Sequence, residues 1–155
     1  RAFAFTPPAC GVGGIPQKNY KGGTGILLFQ NIHRYSMYFA IAFIFILSYD
    51  AVMSFFRNGE FGVGVGSIVL LINPILLGAY TFGCHSLRHL IGGRMDCFSC
   101  THAAESAHSR WKIVTYLNRR HQIFAWFSLV WVGFSDVYVR LVSMGVITDL
   151  NSWGL

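Results

Sequence analysis

Charge is what this sequence has least of. Asp, Glu, Lys and Arg make up only 12% of its 155 residues, about half the share usual in soluble domains. Acidic side chains are the scarcest, 6 against 12 basic ones. Hydrophobic residues reach 54% and the mean hydropathy is +0.48. So few charges could not cover the apolar surface of a soluble fold of this size. The composition therefore excludes a disordered chain, a nucleic-acid module and a disulfide-rich secreted scaffold. The net charge of +6 does not reverse this, because the basic residues collect at the ends of apolar runs, the pattern of a membrane protein. No signal-peptide pattern precedes the first run. A start at Arg1 rather than Met is expected of a processed, split or partial chain.

What the sequence does have is long uncharged runs. Tyr35 to Phe56 is interrupted only by Asp50; Phe61 to Leu87 has no formal charge; Gln122 to Val146 contains Asp136 and Arg140. A membrane-spanning helix needs ~20 mostly apolar residues, and none of the runs shows the alternation of a barrel strand. The expected fold is all-α and integral to a membrane, with three transmembrane helices at about 35–56, 62–90 and 121–146 in a helical bundle. Residues 1–32, rich in Gly and Pro, are read as an irregular segment. Residues 33–146 form the membrane domain, with a basic loop at 91–120, and 147–155 a short outer tail.

The distribution of charge gives an orientation. Arg88, Arg94, Arg110, Lys112, Arg119 and Arg120 lie between the second and third runs, against Asp96 and Glu105. The turn between the first two runs has only Arg57 and Glu60, and the tail only Asp149. The N-terminal segment and the basic loop are expected on the cytoplasmic side of an inner (plasma) membrane, and the short turn and C-terminus outside. Asn73-Pro74 predicts a kink in the second helix. Asp136 and Arg140 are four apart and can pair on one helix face; Asp50 is expected at a similar outer depth.

Six histidines carry most of the chemistry. His33 opens the first helix, His85 and His89 close the second, and His121 opens the third, so four imidazoles fall near one membrane face. His85 and His89, four apart, share a helical face, with Cys84 beside them. Imidazole ligates both haem and iron–sulfur iron. Two histidines from facing helices suit a bis-His haem b; two Cys with two His suit a Rieske-type cluster, and Cys10, Cys84, Cys97 and Cys100 make that arithmetic possible. Cys97-x-x-Cys100-x-His102, with His108 beyond, has the look of a zinc half-site, although a reduced cysteine pair is the simpler expectation. It is not a c-type haem motif, since His does not directly follow the second Cys. A quinone slot needs apolar walls and a few hydrogen-bond donors; Tyr35, Ser36, Arg88, Trp126 and Ser128 are the candidates.

Gly83-Cys84-His85-Ser86-Leu87-Arg88-His89-Leu90-Ile91-Gly92-Gly93 and Asn118-Arg119-Arg120-His121, followed by Trp126, Ser128, Leu129, Asp136, Tyr138, Val139, Arg140 and Leu141, resemble the membrane anchor of complex II in its actinobacterial, mycobacterial-type form. Pro7-Pro8-Ala9-Cys10-Gly11 and Gly22-Gly23-Thr24-Gly25 with Asn31-Ile32-His33-Arg34 fit the same family. More distantly, Arg88-His89-Leu90 is similar to a segment of three-helix cytochrome b anchors, but the haem-ligating position seven residues before His89 is Phe82 here. The resemblance implies a succinate dehydrogenase subunit passing electrons to a quinone, with menaquinone the expected type. It implies a flavoprotein partner with FAD, an iron–sulfur partner, and a second anchor chain where the anchor is split. It also implies a Rieske-type [2Fe–2S] cluster on Cys10, Cys84, His85 or His89, and His121, with His33 in reserve. Anchors of this family are longer, which makes the chain a C-terminal portion or one half of a split anchor. Two other readings stay open: a haem b subunit of complex II or another oxidoreductase, and a non-redox transport or assembly subunit using Asp50, Asp136 and Arg140.

Overall fold

The computed structural model describes residues 24–92, 97 and 99–153. Five helices follow in order: α1 (Thr24–Met53), α2 (Val65–Phe82), α3 (His85–Gly92), α4 (His102–Asn118) and α5 (His121–Ser143). Three stretches, Ile32–Met53, Val65–Phe82 and His121–Ser143, are long and apolar enough to cross a membrane. The contacts divide the chain into two compact units. The first takes α1 as far as Phe39 together with Thr81–His121; the second takes Ala40–Tyr80 and the chain from Gln122 onward.

The second unit is built on small residues. Ala51, Ser67, Ser128 and Ser135 are buried, while Phe43, Phe45, Phe127 and Val130 point outward. A soluble core would reverse this. In a bilayer, lipid is as apolar as Leu, so helices approach through small side chains and hydrogen bonds instead. Ser67 Oγ donates to the Ser54 carbonyl at 2.8 Å, and Trp131 Nε1 to the Val69 carbonyl at 3.0 Å. That second bond falls one residue before Leu70, whose carbonyl Pro74 leaves without its helical donor. α2 runs through Pro74 without a break.

At the α1–α2 connection, Phe56–Arg57 and Glu60–Phe61 form a two-stranded hairpin. Asn58 and Gly59 have φ of 53° and 85°, the left-handed pair that a tight hairpin turn demands and that Asn-Gly supplies most readily. The C-terminal segment, expected to be a short outer tail, is tied to the chain around this hairpin. Val65 N donates to the Leu150 carbonyl at 2.9 Å and Ser152 N to the Val63 carbonyl at 3.0 Å. Asp149 Oδ1 accepts from Gly66 N at 2.8 Å and from the Tyr138 hydroxyl at 2.6 Å. The carboxylate thereby caps the first turn of α2 and fastens α5 to it. Trp153 lies against Gly62, where any Cβ would collide with its indole.

Three sequence-based boundaries are corrected. Helix α1 already starts at Thr24, inside the 1–32 segment expected to be irregular, because glycine stops recurring after Gly25 and the following Ile-Leu-Leu-Phe run propagates helix. The second helix does not reach residue 90: α2 stops at Phe82, and Gly83-Cys84 separates it from α3. Asn118 Nδ2 donates to the carbonyl of the buried Gly83 at 2.8 Å, so a distant side chain makes the break tolerable. The 91–120 loop is mostly helix. Thr101, in extended backbone, accepts from Ala104 N at 3.2 Å and starts α4. One face of α4 then carries Trp111, Val114, Thr115 and Asn118 at helical spacing.

Candidate functional site

The α2–α3 break, the α4–α5 junction and the early turns of α1 belong to the first unit, and together they line a cavity of about 500 Å³. Cys84, His85 and Ser86 come from the break, His33 and Arg34 from α1, and Asn118 and His121 from the junction; Phe29 adds an aromatic wall. The break is what turns these groups inward. Had α2 continued as one rod, Cys84 and His85 would be held by its register alone. Instead Cys84 N bonds back to the Thr81 carbonyl at 3.1 Å, and α3 restarts with the Arg88 N–H donating to the Cys84 carbonyl at 3.1 Å.

α3 is held against α4 by Arg88. Its Nε donates to Thr115 Oγ1 at 3.1 Å, and its guanidinium lies 4.8 Å from the centre of the Trp111 ring. His108 stacks on the same indole at 5.8 Å. Gly92 is obligatory here, because a Cβ would collide with Trp111. His85 lines the open cavity, yet partial burial, followed by the positive charges of Arg34, Arg88 and His89, pushes its pKa below the ordinary value of 6.5. That favours the neutral imidazole, the form with a lone pair for a metal. Ser86 is fully buried at the cavity wall, and its hydroxyl has no hydrogen-bond partner among the described residues.

The profile of one family, described as actinobacterial succinate dehydrogenase subunit SdhC, matches residues 1–145. The chain belongs to this family. A chain of the Mycobacterium smegmatis Sdh1 complex in the apo form is similar in structure, with a TM-score of 0.77 and 41% sequence identity. The match covers 90% of this chain and 52% of that one, so the SdhC-family chain described here spans about half the length of the solved chain. No curated protein matches it.

Of the six metal-ligand candidates in this SdhC-family chain, four share the cavity: Cys84, His85, His121 and His33. His89 is buried and is not among the lining residues. Four residues of helix raise it ~6 Å above His85, one turn beyond the break, so a shared helical face does not put both imidazoles in one cavity. Cys10 lies outside the described residues. No group of three or more His, Cys, Asp or Glu gathers at metal-binding spacing among the described residues. The donor types suit a centre with mixed thiolate and imidazole ligation, and the orphaned Ser86 hydroxyl marks a wall able to donate to a bound group.

The quinone candidates are dispersed. Arg88 is engaged by Thr115 and Trp111, Ser128 is buried in the second unit, Trp126 is exposed there, and Tyr35 and Ser36 are exposed on α1. Cys97 and Cys100 form a disulfide rather than the reduced pair or zinc half-site of the sequence reading; three apart in sequence, with Cα atoms 5.8 Å apart, they are close enough to bridge. Asp136 and Arg140 pair as expected, at 2.8 Å. Sequence reasoning assigned no role to Asn118, Ser86, Arg34 or Phe29. Asn118 was legible only as the third residue before His121 at a helix junction, and Ser86 only as the neighbour of Cys84-His85.

Proposed function

We propose that this chain is the membrane-anchor and electron-transfer part of a succinate dehydrogenase. It takes electrons from an iron–sulfur partner subunit, itself reduced by a flavoprotein, and delivers them to a quinone. Its cavity holds a Rieske-type [2Fe–2S] centre on the cytoplasmic side of the inner membrane. Family membership supports the complex; one observation supports the centre. Cys84, His85, His121 and His33, from three separate stretches of sequence, line one cavity.

Such a centre, when bound, carries single electrons between donor and quinone. This chain's own residues ligate and orient it. Cys84 supplies a thiolate. His85, with its pKa lowered by burial and neighbouring cations, supplies a neutral imidazole. His121 or His33 supplies a second, and Cys10 is the thiolate that completes a two-Cys, two-His set. Asn118, bonded to Gly83, fixes the backbone that aims Cys84. Tyr35 and Ser36 follow the lining residues His33 and Arg34 directly in α1, whereas Arg88, equally close to Ser86 in sequence, is engaged by Thr115 and Trp111. Two electrons and two protons convert the quinone to quinol, and the Tyr35 and Ser36 hydroxyls are donors suited to its carbonyl.

His85→Ala and His89→Ala, made singly in the intact complex, test this reading. Iron content and the low-temperature EPR spectrum of the reduced protein are the measurements. His85→Ala should lose the [2Fe–2S] signal assigned to the anchor while succinate oxidation with a soluble acceptor continues. His89→Ala should keep that signal. The reverse outcome, or sharp haem α-bands in the reduced visible spectrum, would sink the proposal.

A further inference from the structure

α4 has two faces, and only one is accounted for. Trp111, Thr115 and Asn118 meet α3 and the α2–α3 break. Lys112 and Tyr116, four apart, share a different face, with Ile113 at its edge, and Arg119 and Arg120, the C-cap and the residue after it, continue that face, Arg120 over Tyr116. All five are exposed, Ile113 by 62% and Tyr116 by 57%. The Arg120 guanidinium lies over the Tyr116 ring, 4.1 Å from its centre. The acid of α4, Glu105, is in its first turn, 3.6 Å from His102. No ion pair among the described residues involves Lys112, Arg119 or Arg120.

A second observation says what covers this face. Arg119 and Arg120 immediately precede His121, the first residue of a helix apolar enough to cross a membrane. Covalent continuity therefore places these cations within one helical turn of the end of a span. Cations flanking an exposed Tyr and Ile at that level make the pattern of an interfacial helix. Its apolar side chains enter the boundary between headgroups and acyl chains, and its cations meet lipid phosphates. Tyr is also suited to that level, with an apolar ring and a polar tip.

We propose that the face formed by Lys112 and Tyr116 of α4 with Arg119 and Arg120 just beyond it binds anionic phospholipid headgroups. This proposal is independent of the metal centre and rests only on the membrane span and on the charge and exposure of this face. The test uses the intact chain, in whatever complex it is purified, in nanodiscs of phosphatidylcholine mixed with phosphatidylglycerol. Lipids retained on release are counted by native mass spectrometry. Unmodified protein should retain phosphatidylglycerol in preference to phosphatidylcholine. Lys112→Gln/Arg119→Gln/Arg120→Gln should reduce that preference on the order of tenfold or more, and the charge-conserving Lys112→Arg/Arg119→Lys/Arg120→Lys should keep it. Unchanged retention in the glutamine variant overturns the proposal. So does the loss of a co-purifying soluble protein with lipid retention intact, which would make the face a protein-docking surface. If the glutamine variant does not fold, raising the salt concentration on unmodified protein decides: retention should fall steeply, and indifference to salt overturns the proposal. Iron content, measured alongside, reports on the metal reading separately.

Discussion

At the hairpin end of α2, polar groups are consumed by one another; at the α2–α3 break, they are aimed at a cavity. Asp149 takes donors from both Gly66 and Tyr138, and the Trp153 indole N–H donates to the Glu60 carbonyl at 3.1 Å. Cys84 and His85 instead line a cavity whose wall includes the buried Ser86, its hydroxyl without a hydrogen-bond partner among the described residues. Both regions end a membrane helix, and both must satisfy backbone groups that lipid cannot. The first does so with a carboxylate and a returning tail, and is closed. The second uses Asn118 from another helix, which donates to the Gly83 carbonyl beside Cys84.

The largest effect that could break this comparison is at His121. His121→Ala should abolish the anchor's metal-centre spectrum, read by EPR on the reduced complex, while Arg57→Ala at the hairpin should leave the spectrum intact. Equal spectra in the two variants would make the cavity no more functional than the hairpin. Next is Gly92→Val. Its side chain would collide with Trp111, and an overpacked contact costs about 1–3 kcal/mol; thermal unfolding in detergent should show the loss, with α3 detaching from α4. Asp149→Ala should destabilise by about 0.5–2 kcal/mol, the cost of losing a helix cap, with no change in iron content. A lost metal signal in that variant would mean that the closed end is not merely structural. Smallest is Asn118→Ala, which gives up a hydrogen bond of roughly 1 kcal/mol. It should shift the EPR line shape more than the unfolding temperature, because the Gly83 carbonyl it holds adjoins Cys84.

How much was legible in the sequence differs between these regions for a physical reason. Membrane helices announce themselves, since length and hydropathy are properties of a contiguous run. The three spans, the Asp136–Arg140 pair and the position of His85 and His121 at helix ends followed from spacing along one chain; His33, expected to open the first helix, lies well inside α1. The α4 helix was hidden because its polar residues were read for their charge and not for their period; Trp111, Val114 and Thr115 carry that period plainly.

Sequence by itself determined the membrane class, the three apolar spans, their charged flanks and the family blocks around Cys84-His85 and Arg119-Arg120-His121. Only tertiary structure decided that α2 breaks at Gly83, that His85 rather than His89 lines the cavity, and that Asp149 binds the start of α2. Each of these depends on a partner far along the chain: Asn118 for Gly83, α1 and the α4–α5 junction for the cavity, Gly66 for Asp149. Hydropathy sums over neighbours in sequence. A backbone carbonyl in an apolar environment is satisfied by whichever donor the fold brings to it, and no local pattern names that donor.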